Sequence, residues 1–177
     1  MIFKSANWMT NEATFRDRVT QRLSTFSADF ASEAIKKYKP NGFNPWERYT
    51  QMVSDIRSVC PLTKLAREIA AGFDSKVFMY VSTQARNSSG GSVADGLSDI
   101  EAILGVYNPE DHEQRVYVDN IQKMFYYFVY NGDTRRNQAV PRYIDIIDDT
   151  VTSVPYDYPQ CEFWLSSPVY PLHARME

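Results

Sequence analysis

Apolar residues recur at helical spacing through the first 72 residues of the chain. Three helices are predicted to begin at residues whose side chains can cap a first turn: Thr10 or Asn11, Ser27, and Asn44 followed by Pro45. A polar turn is predicted before Cys60 and Pro61, and a fourth helix is predicted to follow them and end at Gly72. Because Leu65 and Ile69 fall on one side of this fourth helix, that side is expected to be buried.

Two runs of apolar residues predict strands rather than helices. The run KVFMYVS is apolar on both faces, which is typical of a central strand, here at about residues 77–82. The run YIDII predicts a second, late strand at about residues 143–147. A central strand must pair on both edges, and two strands do not complete such a sheet. The expected class is therefore α/β and mostly helical, with partner strands supplied from elsewhere; an unusual mostly helical domain is the alternative.

Three more helices are predicted in the second half of the chain. They lie around Ile100–Leu104, from about Glu110 to Tyr130, and in the run QCEFWLSS near the end. The middle helix carries a row of aromatic side chains at its end: Phe125, Tyr126, Tyr127, Phe128 and Tyr130. Aromatic residues at this density on a helix are expected in a core rather than in a ligand box.

Length, composition and charge exclude several classes of function. The 177 residues fit one domain, and a net charge of -3 supplies no overall basic field for counterion release from a nucleic acid. No window holds the roughly 18 apolar residues of a membrane span. The amino terminus lacks the basic segment, apolar stretch and cleavage site of a secretory signal, so this criterion alone predicts a cytosolic start.

The residues that could carry chemistry are few. Ser92 lies in a Gly-Gly-Ser stretch that is a degenerate form of a serine-hydrolase elbow, but about nine residues separate it from the preceding strand, so a nucleophile is not expected. His112 and His173 are expected on the surface. Neither has a second histidine or cysteine at metal-ligand spacing, and neither a metal nor a cofactor is expected.

Acidic and polar residues of the later loops have simple interpretations. Neither acidic group has the spacing of a calcium loop, so both are expected to be solvated; the groups are Asp95, Asp99 and Glu101, and Asp145, Asp148 and Asp149. Asn87 begins an Asn-Ser-Ser sequon and would be a glycosylation site in the secretory pathway.

Cys60 and Cys161 allow a single internal pairing. In the cytosol both would be thiols. In an oxidising compartment they could close a loop of about 100 residues, worth roughly 4 to 5 kcal/mol. The residues alone do not choose between the two states.

Six segments resemble type-B carboxylesterases and cholinesterases, in the order of that family. VSDIRSVCPLTKLA resembles the stretch in which a Gly-Asp pair precedes Cys-Pro, with Ser54-Asp55 and Cys60-Pro61 at those positions. KVFMYVSTQ is similar to the family strand VYLYxF, and SVADGLSDIEAILG to GxxHGxDLxxxFG. Three later segments resemble the family helix end WxxFAxxGxPN, the strand YIDL and the closing helix CxFW: IQKMFYYFVYNGDT, YIDII and PQCEFWLSSPVYPL. The resemblance runs from about residue 10 to residue 172.

The resemblance implies a fold and a disulfide. Members of the family are α/β-hydrolases, and residues 1–177 resemble the carboxyl-terminal portion, so the chain is expected to form a single partial domain. The central parallel strands would lie upstream of Met1. In cholinesterase-like members the corresponding cysteines form the last disulfide, which implies a structural bridge between Cys60 and Cys161.

The departures from the family pattern bear on catalysis. Ester hydrolysis needs a serine, a histidine, an acidic residue and oxyanion donors, and the family places the serine, the acid and the oxyanion stretch upstream of this region. Asp95 stands at the position of the family histidine. Because an aspartate has a reference pKa near 3.9, it is a poor proton shuttle at neutral pH. No histidine occurs before residue 112.

The resemblance therefore implies a carboxyl-terminal fragment or a pseudoenzyme, without ester hydrolysis of its own. Two alternatives remain: the carboxyl-terminal part of an active hydrolase, or a neuroligin-like scaffold for a protein partner. The partner would be the upstream part of the same hydrolase domain or another protein. The family implies secretion or the endoplasmic reticulum lumen, in contrast to the visible amino terminus.

Overall fold

A computed structural model describes residues 11–40, 44–84, 94, 97–134, 142–155 and 158–167. The described chain is mostly helical with a small three-stranded sheet. The α-helices are α1 (Glu12–Leu23), α2 (Ala28–Lys37), α3 (Pro45–Ser54), α4 (Cys60–Gly72), α5 (Ser98–Ile103), α6 (His112–Asn131) and α7 (Pro159–Leu165). The strands are β1 (Tyr80–Ser82), β2 (Tyr143–Ile147) and β3 (Val151–Pro155).

The chain divides into two compact units. Unit 1 comprises Met1–Leu62 and Tyr158–Glu177, and unit 2 comprises Thr63–Asp157. Unit 1 therefore joins two segments that are distant in the sequence, and its core depends on contacts between them. No described helix is long and apolar enough to cross a membrane.

The predicted helix starts are confirmed by their capping hydrogen bonds. Asn11 accepts a hydrogen bond from the backbone N–H of Thr14 at 2.9 Å, and Ser27 accepts one from Phe30 at 3.0 Å. At α3 the Asn44 side chain and the side chain of Glu47 each accept a hydrogen bond from the backbone N–H of the other. These bonds satisfy N–H groups that the first helical turn leaves without a partner.

The polar turn predicted before Cys60 is wrong, because the backbone stays helical. A π-helical segment, Asp55–Val59, connects α3 directly to α4, and the N–H of Cys60 donates to the carbonyl of Asp55. Pro61 has no backbone N–H to donate, and single π-helical turns inside α-helices are local changes of the hydrogen-bond pattern of this kind. The α4 helix then continues to Gly72, as predicted.

Unit 1 has an aromatic and aliphatic core. Its buried residues are Phe15, Val19, Leu23, Ala31, Ala34, Tyr38, Met52, Cys60, Cys161 and Trp164. The rings of Phe30 and Phe163 stack at 5.2 Å between centroids, and Trp164 meets Phe30 edge to face at 5.8 Å. The short helix α7 is thus packed into unit 1 by its aromatic residues.

The sheet of unit 2 differs from the prediction in three ways. β1 pairs in parallel with β2, and β2 pairs antiparallel with β3, so β1 is an outer strand of the described sheet rather than a central one. β1 is also shorter than the predicted 77–82, and its residues are only half-buried. β3 was not predicted. Strand β2 has the predicted bounds.

Two groups expected to be buried are exposed. Along α4, Leu62, Leu65 and Ile69 are 55%, 50% and 37% exposed. In the aromatic row of α6, Tyr126 and Tyr130 are 63% and 71% exposed. Helical spacing identifies an apolar face, but it does not tell whether the same chain supplies the element that covers it.

Candidate functional site

A buried carboxylate lies at the centre of a hydrogen-bond network in unit 1. Asp55 begins the π-helical segment and is 2% exposed. The hydroxyls of Tyr38 and Tyr158 donate to its Oδ2 at 2.7 and 2.8 Å. Trp164 Nε1 donates to the Tyr38 hydroxyl at 2.7 Å, and Gln51 Nε2 donates to the Tyr158 hydroxyl at 2.9 Å.

Burial sets the electrostatics of this Asp55 network. Desolvation raises the pKa of Asp55 to about 6, and the two tyrosine hydrogen bonds oppose that rise because they stabilise the ionised form. Desolvation also raises the pKa of Tyr38 and of Tyr158, and the nearby Asp55 carboxylate adds to both effects. Among the ion pairs of the described residues, none involves Asp55. The network thus contains a carboxylate and hydroxyl donors that remain protonated at neutral pH.

A disulfide lies in the same unit as the network. Cys60 and Cys161 are bonded, with Cα atoms 5.0 Å apart and 101 positions of separation in the sequence. This agrees with the pairing that the family resemblance implies. The bridge joins the first residue of α4 to α7, the helix that also carries Trp164. A covalent bond and the Asp55 network therefore both fix α7 to unit 1.

Several residues singled out in the sequence lie outside the described residues: Asn87, Ser92, Asp95 and His173. Their interpretations stay predictions. His112 is described and is exposed in the first turn of α6, as expected. Among the serine side-chain hydrogen bonds of the described residues, none involves His112.

The acidic residues of unit 2 were expected to be solvated, but Asp145 is buried. Asp145 is 5% exposed in β2, and Ser153 Oγ donates to its carboxylate across the strand pair. Asp99 accepts a hydrogen bond from the hydroxyl of Tyr80 at 2.9 Å. Asp148 accepts from the N–H of Thr150 at 2.7 Å in the turn between β2 and β3. These carboxylates serve local structure, and no cluster of described His, Cys, Asp and Glu residues could hold a metal ion.

The sequence identified Asp55 only as part of the Ser54-Asp55 pair of the family resemblance and did not predict its hydrogen-bond partners. One signal was present, because Asp55 follows the buried Met52 by three residues and so falls on the buried face of the helix. A carboxylate at such a position requires hydrogen-bond donors. The donors Tyr38, Tyr158 and Trp164 carry no local signal that would match them to it.

Comparison with known proteins agrees with the family resemblance. No family model matches the chain. Neurotactin of Drosophila melanogaster is 32% identical to it over 173 residues, which is 97% of this chain and 19% of that protein. Neurotactin is a cholinesterase-like protein, and the match supports a cholinesterase-like carboxyl-terminal region here. Since the chain spans 19% of its relative, the activity and partners of the whole relative do not transfer directly.

Proposed function

We propose that the chain is the carboxyl-terminal part of a cholinesterase-like domain that does not hydrolyse esters and acts as a binding scaffold for a protein partner. The observation that carries this proposal is the match to Neurotactin over 97% of the chain. A match of that extent covers nearly the whole sequence of the chain rather than a single motif. The scaffold role would be of the neuroligin type.

The residues of the chain support the non-catalytic part of the proposal. Asp95 replaces the histidine of the family pattern, and a carboxylate cannot exchange a proton with a serine hydroxyl efficiently at neutral pH. His112 is exposed on α6 and bonds no serine among the described residues. The buried carboxylate of Asp55 accepts hydrogen bonds from two tyrosine hydroxyls, and a structural role accounts for its burial.

Two features of unit 2 support a partial α/β-hydrolase domain spanning residues 1–177. Strands β1 and β2 are parallel, an arrangement that fits the mostly parallel sheet of an α/β fold. The exposed apolar residues of α4 and α6 form surface that a soluble protein normally covers. Upstream polypeptide of a longer protein would supply both the missing strands and the cover.

An ester hydrolysis assay tests the non-catalytic part. The purified chain is expected to release no p-nitrophenol from p-nitrophenyl acetate or butyrate above the rate of a heat-denatured sample. Turnover that survives purification and is lost in Ser92→Ala would contradict the proposal, since it would show a working nucleophile. Turnover that survives in Ser92→Ala would point to a contaminating esterase, which a second, orthogonal purification step would remove.

A binding screen tests the scaffold part. The chain, immobilised through an added carboxyl-terminal tag, is presented to an array of purified extracellular domains. Saturable binding to at least one domain is expected, and it should disappear after reduction and unfolding of the immobilised chain. An array that shows no saturable binding to a chain with an intact thermal transition would contradict a scaffold function.

A further inference from the structure

A cleft opens on the surface of unit 1 beside the Arg48 side chain. It is lined by residues of α1, α2, α3 and the segment after α2: Glu12, Arg16, Ser32, Ile35, Lys36, Lys39, Pro40 and Arg48. Its volume is about 220 Å³. Drug-sized ligands occupy pockets of roughly 300–1,000 Å³, so this cleft suits a smaller group.

The charge of the cleft is opposite to that of the chain. Four cationic side chains and one carboxylate line it, a net charge of +3, whereas the whole chain has a formal charge of -3. A concave surface lined by one sign of charge concentrates its electric field and raises the local concentration of counter-ions. The cleft is therefore a local attractor for anions on an acidic protein.

Arg48 gives the cleft one fixed wall. Its side chain is 3% exposed, and its guanidinium lies 4.2 Å from the centroid of the Phe15 ring. Its Nε donates to the carbonyl of Tyr38 at 2.8 Å, and its Nη1 donates to Glu12 at 2.5 Å. The hydrogen bond from Arg48 lowers the pKa of Glu12, which therefore stays ionised at neutral pH.

The remaining cations are in excess of the single carboxylate. Glu12 also pairs with Arg16 at 3.2 Å, so its charge is shared between two arginines. Within the described part of the chain, Lys36 and Lys39 form no ion pair. The cleft is also lined by the apolar side chains of Ile35 and Pro40, which an ion alone would leave in contact with water.

We propose that this cleft binds an oxyanion group, such as a phosphate or sulfate ester, that is carried on an apolar stem. Lys36 and Lys39 neutralise the oxyanion, Ile35 and Pro40 contact the stem, and the Arg48–Glu12 pair holds the wall of the cleft. The site is independent of ester hydrolysis and of the proposed scaffold function.

Titration of the full chain with phenyl phosphate tests the site, followed by the NMR signals of unit 1. Saturable binding is expected, at least tenfold tighter than that of inorganic phosphate, and benzyl alcohol should not bind. Lys36→Glu should weaken phenyl phosphate binding at least tenfold. Lys37→Glu is the matched control: it reverses the same charge in the same turn of α2, but Lys37 lies outside the cleft and near the Phe163 ring.

Three results would overturn the proposal, each read only on variants that keep the thermal transition of the native chain. Equal weakening by Lys36→Glu and Lys37→Glu would show general charge attraction rather than a site. Inorganic phosphate binding as tightly as phenyl phosphate would remove the role of the stem. Failure of phenyl phosphate to saturate the folded chain would remove the site itself.

Discussion

Asp55 is a carboxylate that folding buries without a cation among its described partners, so its ionisation opposes folding. Its pKa is about 6 in the folded protein, against an ordinary value of 3.8. An acidic group whose pKa is raised by folding contributes stability that is fully present at pH values below its ordinary pKa. This contribution is lost as the pH rises through about 6. Between pH 4 and pH 7 the loss amounts to about 2 kcal/mol, because part of the full effect lies below pH 4.

Asp55→Asn should abolish this part of the pH dependence. The free energy of unfolding of the wild-type chain, measured by urea titration, should fall relative to that of Asp55→Asn by about 2 kcal/mol between pH 4 and pH 7. Tyr158→Phe removes one donor to the carboxylate, so it should raise the pKa of Asp55 further and move the transition to higher pH. Parallel curves for the wild type and Asp55→Asn would contradict the argument.

At the scale of the elements, local interactions were predictable and distant ones were not. The caps at Asn11 and Ser27 are bonds to a residue three positions away, and the sequence predicted both. The partners of Asp55 lie 17 and 103 positions away, and Trp164 lies 126 positions from Tyr38. A pattern within a window of one helix carries no information about such pairs. β3 was missed for a related reason, because its pairing with β2 rather than its own residues makes it a strand.

The end of α6 provides a test of helix termination. Gly132 follows the helix with a φ of +64°, and its N–H donates to the carbonyl of Phe128 at 2.8 Å. Gly132→Ala meets no atom within 4 Å, so its cost is the strained backbone alone, about 1 kcal/mol. Gly72→Ala is the control: it lies in the last turn of α4 without a positive φ and should stabilise by up to about 1 kcal/mol. Thermal unfolding should therefore shift in opposite directions for the two variants, and shifts of one sign would contradict the assignment.

The disulfide between α4 and α7 should account for a large part of the stability of unit 1. The bond closes a loop of 101 positions, for which the chain-entropy estimate is about 4 to 5 kcal/mol. The double variant Cys60→Ala/Cys161→Ala should lose about this amount in urea unfolding, and the reduced wild type should behave like the variant. A non-reducing mass measurement gives the control, since the oxidised chain must be two hydrogens lighter than the reduced one. A loss below about 1 kcal/mol would show that aromatic packing and the Asp55 network hold α7 without the disulfide.

At the scale of the whole molecule, the apolar side chains that remain in contact with water are concentrated between residues 62 and 130. All of the described large hydrophobic residues that are exposed fall in this range. Leu65 and Ile69 on α4 and Phe73 directly after it are spaced by four residues and form a stripe, which we call the α4 stripe. Soluble monomers rarely leave such continuous apolar surface uncovered, so this part of the chain is expected to associate.

Charged substitutions in the α4 stripe test this expectation. The isolated chain should form concentration-dependent oligomers in analytical ultracentrifugation, and Leu65→Lys/Ile69→Lys should shift it toward the monomer. Both side chains are already in contact with water, so their replacement costs little folding energy. Ala71→Lys is the matched control, since Ala71 is exposed on the opposite side of α4. In a longer protein whose upstream residues cover the α4 stripe, the same double substitution should instead destabilise the fold, because two lysines would be buried without partners. A chain that is monomeric without any substitution would contradict the association, and would argue that residues 1–177 fold as a complete unit.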